Sequence, residues 1–384
     1  MMTQQTSFDI MKSRNERQIL KVIKEIKQIS RADIADKTGL SPATVTNIVN
    51  DLIESKLIKE SKRGKSKGGR RPVFLKLNGE FTKVIGIEWG IHSIKYAVVN
   101  LEGKIETQGK KSIKNLSLGN FLKLTKQITD HIFHNIDPVL VKGIGIGIHG
   151  VVDPQKGISK FAPHFHWNNK DVLTKLNKIY DIPIKIDNDV RMMARAERWQ
   201  KKKNFIYINT GRGIGSAVVL NNRLIYGQDF LAGEIGHTIV KEDGPKCSCG
   251  NKGCLEAMVA RDNLIEYADQ IFDIKIDSWN KLANIINSKE NNIEQILKYI
   301  SKYFGIAVVN LINLLNPSEI IIGGDFLDIK DKLKPYLTSF VVENSLNKNE
   351  ETSPIEFTDY NKIAGAVGAA FSILEKYFYT EEEI

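Results

Sequence analysis

The sequence predicts a two-part α/β protein: a winged helix-turn-helix over residues 1–80 and a larger body of alternating strands and helices over residues 81–384. Three observations predict it. Two short capped helices meet at a glycine turn near the N-terminus, ahead of a basic, glycine-rich hairpin. Residues 1–80 hold seventeen Lys and Arg against nine Asp and Glu, a net +8 of the chain's +10, so residues 81–384 carry about +2. Beyond Asn78, strand-like apolar runs end repeatedly in glycine turns, the pattern of an α/β fold with a cleft.

In the first part, Ile19, Val22, Ile23 and Ile26 recur at helical spacing within residues 12–28. In SRADIADKTGL, Ser30 caps the next helix, Asp33 completes a capping box, and Gly39 supplies the left-handed stop. Ser41 caps a third helix and Pro42 takes its first position. That helix, about 42–55, is expected to bury Val45, Ile48, Val49, Leu52 and Ile53. Its start at Ser41 and its outward residues Ala43, Thr44, Thr46, Asn47 and Asn50 form a small polar face able to reach base edges in a major groove. Two β-like stretches then flank a tip carrying Lys62, Arg63, Lys65, Lys67, Arg70 and Arg71. Lys65, Lys67, Arg70 and Arg71 are placed to lie along phosphates or enter a minor groove. A basic head on a near-neutral body implies a polyanion partner for the head, operator DNA; the plain alternative is a solvated lysine-rich surface.

In the body, KVIGIEWGIHSIKYAVVN reads as strand, turn, strand; VKGIGIGIHGVVD as a buried strand and loop; IPIKIDNDVRMMARAERW as a strand, a polar junction and a helix with Met192, Met193 and Ala196 on its apolar side. NFIYINTGRGIGSAVVLNNRLIYG reads as strand, Gly turn, strand, Asn-Asn hairpin, strand, and NPSEIIIGG as a late strand. Helices are expected over about 292–316 and 363–379. Glycine turns after three strands suggest a cleft whose ancestor held phosphates. No apolar run approaches the roughly 18–20 residues that span a membrane, and the N-terminus lacks the apolar core of a signal peptide. With three crowded cysteines and no disulfide framework, a cytoplasmic protein is expected.

All three cysteines fall in HTIVKEDGPKCSCGNKGC. His237, Cys247, Cys249 and Cys254 give the spacing H-x9-C-x-C-x4-C, one imidazole and three thiols suited to tetrahedral zinc. Gly244, Pro245, Gly250 and Gly253 supply the tight turns of such a knuckle. With all four positions filled by protein, no place remains for a catalytic water, so the zinc is expected to be structural; free thiols or a redox switch are the alternatives.

The pieces IGIEWG, GIGIGIHGVVD, IDNDV, NTGRGIG, AGEIGHTIV, DGPKCSCGNKGCLE and NPSEIIIGG resemble, in order and wording, the ROK family of repressors, open reading frames and kinases. With the winged helix and GGRRPVFLKLN, the resemblance covers nearly the whole chain, and the appended head is similar to the repressor branch, which includes xylose and N-acetylglucosamine repressors. The resemblance implies a two-lobed actin/hexokinase-like, ribonuclease H-like body. It also implies a sugar pocket from Asn188, Asp189, Glu234, His237 and Glu256, the imidazole touching both metal and sugar. Taken singly, each glutamate is as readily a surface residue.

The family's kinases carry Asp-x-Gly-Gly-Thr in the first phosphate loop and use the residue matching Asp189 as base. Here the loop reads Glu88-Trp89-Gly90-Ile91-His92-Ser93, and β-branched Ile91 disfavours a close phosphate approach. The second loop keeps Gly211, Gly213 and Gly215. The expectation is a sugar-responsive repressor of carbohydrate-utilisation genes, such as those of xylose metabolism, without catalytic residues. An ATP-dependent sugar kinase is the alternative. Arg191, His149 and His164 depart from the family's usual residues, and His164 and His166 are candidates for the pocket or for simple packing; His131 and His134 belong on a solvated helix face. A homodimer or dimer of dimers, reading two half-sites and released by a sugar or sugar phosphate, completes the expectation.

Overall fold

The computed structural model describes residues 7–63, 72–200, 203–288, 292–346 and 354–378. The chain forms two compact units, Met1–Arg195 with Gly365–Ile384, and Ala196–Ala364.

The first unit opens with α1 (Ser7–Ile26), β1 (Ile29–Ser30), α2 (Arg31–Thr38), α3 (Pro42–Glu54), β2 (Ile58–Arg63) and β3 (Val73–Leu77), the strands ordered β1-β3-β2. Ile19, Leu20, Ile23, Ile34, Val45, Ile48, Val49, Leu52, Ile58 and Leu75 are buried. The apolar stripe of α1 differs from expectation in one residue. Ile26 is 39% exposed, because the helix ends there and Lys27, at φ 67, turns the chain into β1. Both predicted caps form. Ser30 Oγ accepts from Asp33 N–H at 3.2 Å and donates to the Asp33 carboxylate at 2.6 Å, so this box closes through the hydroxyl. Gly39, at φ 70, ends α2.

The body follows with β4 (Lys83–Trp89), β5 (Ser93–Asn100), β6 (Ile105–Ser112), α4 (Leu118–Asn135), β7 (Val141–Ile148), β8 (Val151–Asp153), β9 (Ile158–Ala162), β10 (Trp167–Asp171), α5 (Leu173–Asn177), β11 (Ile184–Asn188) and α6 (Asp189–Trp199). The second unit contains β12 (Phe205–Thr210), β13 (Ile214–Leu220), β14 (Arg223–Leu224), α7 (Leu255–Val259), α8 (Arg261–Phe272), α9 (Trp279–Asn287), α10 (Ile293–Leu315), β15 (Glu319–Gly324), α11 (Lys330–Asn344) and β16 (Ile355–Phe357). The last helix, α12 (Ala364–Phe378), rejoins the first unit from Gly365 onward.

The two large sheets share one plan. In β6-β5-β4-β7-β11 and in β14-β13-β12-β15-β16, an antiparallel three-strand meander is extended by two parallel strands. This duplicated order is the two-lobed layout expected of the body. A small sheet, β10-β9-β8, sits beside the first.

Alternation in GIGIGI decides how the first lobe packs. Ile144, Ile146 and Ile148 point into a core with Phe121, Ile128 and Ile132 of α4. Gly145 faces the other way, onto helix backbone. Gly145 lies opposite Gly86 in the parallel register of β4 and β7. A Cβ on Gly86 would stand 1.8 Å from the Ala366 carbonyl oxygen, and one on Gly145 1.8 Å from that of Ala369. The pair therefore forms a flat bed on which α12 lies with its backbone. In the second unit, Ile206, Ile208, Ile320 and Ile322 bury one sheet face against α7–α11. The histidines of α4, His131 and His134, are exposed, as their helix position predicts.

Candidate nucleic-acid interface, metal centre and effector residues

The helix pair presents the expected face. Ser41 Oγ accepts from Thr44 N–H at 3.1 Å with Pro42 at the helix start, while Val45, Ile48, Val49 and Leu52 anchor α3 inward. Ser41, Ala43, Thr46, Asn47 and Asn50 are exposed and Thr44 is half-buried; Ile53 is half-buried too. Thr46 Oγ1 donates to the Pro42 carbonyl at 2.8 Å, so its methyl is the group it presents. Asn50 Oδ1 accepts from Arg31 Nη2 at 3.4 Å, and Arg31 also pairs with Glu60 of β2 at 3.4 Å. Lys65, Lys67, Arg70 and Arg71 lie outside the described residues.

The candidate metal centre lies in the second unit. His237 ends a single 3-10 turn, Ile235–His237, and Cys254 is the N-cap of α7. The knuckle between them is closed by Cys247 N–H to Asn251 O at 2.8 Å and by Gly253 N–H to Pro245 O at 2.9 Å. Gly253, at φ 68, is obligatory, because a Cβ there would stand 1.5 Å from the Lys241 carbonyl. The ligand atoms of His237, Cys247, Cys249 and Cys254 all lie within 4.8 Å of one another. Cys247 Sγ is 3.6 Å from His237 Nδ1, and Cys249 Sγ is 3.7 Å from Cys254 Sγ. Tetrahedral zinc with Zn–S near 2.3 Å and Zn–N near 2.0–2.1 Å requires edges of about 3.6 Å (S to N) and about 3.8 Å (S to S). The cluster can therefore hold a metal ion, and its donor set and these two separations suit zinc. Burial pushes the Cys254 thiol up to about 12.

The same unit holds two effector candidates. Glu234 immediately precedes the histidine turn and is exposed. Glu256, in the first turn of α7, is half-buried and reaches the glycine loop between β12 and β13. Its Oε2 accepts from Ile214 N–H at 3.1 Å, and its Oε1 from Ser248 Oγ of the knuckle at 3.4 Å. Gly213 makes room, since a Cβ there would be 2.9 Å from Oε2. One N–H of the second phosphate-type loop is thus already committed to a carboxylate.

Asn188 and Asp189 lie in the first unit, where β11 meets α6. Asn188 Nδ2 donates to Gly150 O at 2.9 Å and to Asp189 Oδ1 at 3.0 Å, and Asp189 Oδ1 also accepts from Val190 N–H at 2.9 Å. Asp189 Oδ2 faces His149 Nδ1 at 3.5 Å, and the His149 ring stacks on His164 with centroids 5.0 Å apart. His164 and His166 are exposed. Arg191 is not a pocket residue. It is buried, with Nε on Asp187 Oδ1 at 2.7 Å and Nη2 on Val152 O at 2.9 Å. Arg195 bridges Asp187 and Glu375. α6 is therefore buried around most of its circumference rather than along the one apolar side expected.

The altered first loop is a tight turn closed by Gly90 N–H to Ser93 O at 3.1 Å, with Ile91 packed on the lobe core. Sequence reasoning missed Lys95, whose ammonium contacts Glu88 Oε1 at 2.6 Å. The other oxygen, Glu88 Oε2, is buried without a hydrogen-bond partner. Burial raises the Glu88 carboxyl above its usual value, against the pull of Lys95. Among the described residues, no helix is long and apolar enough to cross a membrane.

Residues 84–376 match the ROK family and residues 12–59 a winged helix-turn-helix DNA-binding domain. The chain is 31% identical over 336 residues to the xylose repressor of Caldicellulosiruptor bescii, covering 82% of this chain and 84% of that protein. It is 27% identical to the N-acetylglucosamine repressor of Escherichia coli O6:H1, over 96% of this chain and 94% of the relative. The crystal structure of a ROK family transcriptional regulator, a homologue of the E. coli MLC protein, superposes with a TM-score of 0.83 at 25% identity, over 96% of this chain and 98% of that one.

Proposed function

The chain belongs to the ROK family, and from that premise we propose that it is a sugar-responsive, DNA-binding repressor of carbohydrate-utilisation genes. The carrying observation is the capped α3, anchored by Val45, Ile48 and Val49 and turned outward with Ala43, Thr46 and Asn47, on a chain whose relatives named above are repressors. Ser41, Ala43, Thr44, Thr46, Asn47 and Asn50 read bases and adjacent phosphates. Lys65, Lys67, Arg70 and Arg71 supply sequence-independent grip. The domain boundary falls near residue 80.

Zinc, held by His237, Cys247, Cys249 and Cys254, supplies a structural cross-link. It ties the histidine turn to the start of α7 and so fixes Glu234, His237 and Glu256 relative to one another. These three and the Asn188–Asp189 pair bind the hydroxyls of a sugar or sugar phosphate, since a polyol needs several fixed donors and acceptors, and each unmatched buried hydroxyl costs about 1–3 kcal/mol. Asp189 acts as an acceptor. Phosphoryl transfer is lost, because β-branched Ile91 takes a glycine's place in the first loop and Glu256 holds Ile214 N–H in the second. The chain works as a homodimer or a dimer of dimers on two half-sites, and sugar lowers operator occupancy by favouring a second arrangement of the body. A 100-fold drop in affinity corresponds to about 2.7 kcal/mol of coupling.

A gel-shift panel on DNA upstream of the chain's own gene tests this, with ADP formation followed in parallel for each sugar plus ATP. Specific binding released by one sugar without ADP is expected. Steady ADP production under those conditions would overturn the reading in favour of a kinase.

A further inference from the structure

The C-terminal helix α12 joins the lobe that carries Asp189 to the winged helix. Its backbone lies on the bed formed by Gly86 and Gly145. Near its start, a Cβ on Gly365 would stand 2.4 Å from Glu88 Oε2. Glu88 is paired in register with Gly147, and a Cβ on Gly147 would stand 3.3 Å from the Asp189 Cα. In the last turn of α12, Arg195 of α6 holds Glu375. At the same end, Arg17 Nε of α1 donates to the Lys376 carbonyl at 3.0 Å. That carbonyl belongs to the last turn of α12, Ala364–Phe378. Seven residues along, Lys24 places its ammonium 5.2 Å from the centroid of the Phe378 ring, and Phe378 is itself buried. A spacing of seven puts Arg17 and Lys24 on one face of α1.

α1 also packs against α2 and α3, so what holds α1 also orients the recognition helix. A fifteen-residue helix is about 22 Å of rigid rod. Its bed allows little sliding, because helix carbonyls meet strand backbone there with only the small Ala370 and Ser372 side chains alongside.

We infer that Arg17 and Lys24 are positioning residues for operator binding: they seat the winged helix on the last turn of α12 and thereby fix the spacing at which two heads of an assembled protein meet DNA. The inference rests on the DNA-binding reading above. Neither residue lies on α3, and both are engaged with α12.

The test uses the full chain. Operators are first selected from random duplexes with the wild-type protein, then rebuilt with half-site separations changed by one and two base pairs. Wild type should discriminate among these spacings by about tenfold or more, whereas Arg17→Ala and the double variant Arg17→Ala/Lys24→Ala should flatten the profile. Affinity for an isolated half-site should stay within about twofold. Arg17→Gln, which keeps an N–H donor, should restore most of the discrimination. An unchanged spacing profile, or a half-site affinity that falls in step with the full operator, would overturn the inference, the latter by showing that Arg17 acts through folding of the head. Selection of single half-sites would overturn it as well. Failure of wild type to select any DNA would instead strike the DNA-binding reading itself.

Discussion

His237 Nδ1 and Cys247 Sγ stand 3.6 Å apart, on a 3-10 turn and a knuckle loop, with nine residues of chain between them. That separation matches the nitrogen–sulfur edge that a tetrahedral zinc site requires. Full-length protein should contain one zinc per chain by elemental analysis. Cys254→Ser, or exhaustive chelation, should release it and lower the melting temperature by about 5 °C or more. Equal metal content and equal melting in the variant would show that Cys254 holds no structural zinc.

The glycine bed makes a steric prediction. In Gly145→Ala the new methyl meets the Ala369 carbonyl at 1.8 Å, and backbone cannot rotate away as a side chain can. Denaturant unfolding should show a loss of about 1–3 kcal/mol or more. Gly119→Ala, where nothing lies within 4 Å of the new group, is the control and should cost far less.

Glu88 makes a pH prediction. Its folded carboxyl is raised by burial, so between the unfolded and folded values the native state keeps a proton that the unfolded chain has lost. Stability therefore falls as pH rises through that window and levels off above it. Glu88→Gln removes the ionisation. Relative to wild type, its stability should rise with pH across the window, read from unfolding curves at a series of pH values. Parallel pH profiles for the two proteins would show that Lys95 fully compensates the charge.

The head makes a prediction that separates grip from base reading. Replacing Lys65, Lys67, Arg70 and Arg71 with Ala should weaken binding to all duplexes and reduce the slope of log affinity against log salt by about 0.9 for each phosphate no longer neutralised. Asn47→Ala should instead relax base preference at one or two positions, by about 1–3 kcal/mol each, with the salt slope nearly unchanged. Competition assays against scrambled duplexes at several salt concentrations distinguish the two.

Asp189→Ala removes an acceptor held by Asn188 and Val190 and faced by His149. The variant should bind operator as wild type does and ignore the sugar that releases wild type. Release at the wild-type sugar concentration would take Asp189 out of the effector set.

What is legible in the sequence is what local chemistry determines. Ser30, Ser41 and Gly39 cap helices through atoms three or four residues away, so their spacing alone predicts the head. The candidate metal cluster is legible for the same reason, since Cys247, Cys249 and Cys254 fall within eight residues. The alternation GIGIGI marks a buried strand, but not that α12, more than two hundred residues later, lies on its glycines. Arg191 reads as a change in the sugar pocket. Its partner Asp187 is close in sequence, but the Val152 carbonyl that completes its burial is not. Lys95 and Glu375 escape notice because a surface charge and a buried ion pair look alike until the partner is seen. The seat of the head on α12 joins Arg17 to Lys376 across almost the entire chain, and no local pattern marks it.

The most direct test is operator occupancy of the full-length chain, followed by fluorescence anisotropy of labelled duplex while D-xylose, D-glucose, N-acetylglucosamine and their phosphates are titrated in turn. One of these should lower occupancy by about 100-fold in apparent affinity with no nucleotide present. Occupancy that no sugar alters, in protein that binds its operator specifically and carries its zinc, would contradict the sugar-responsive reading.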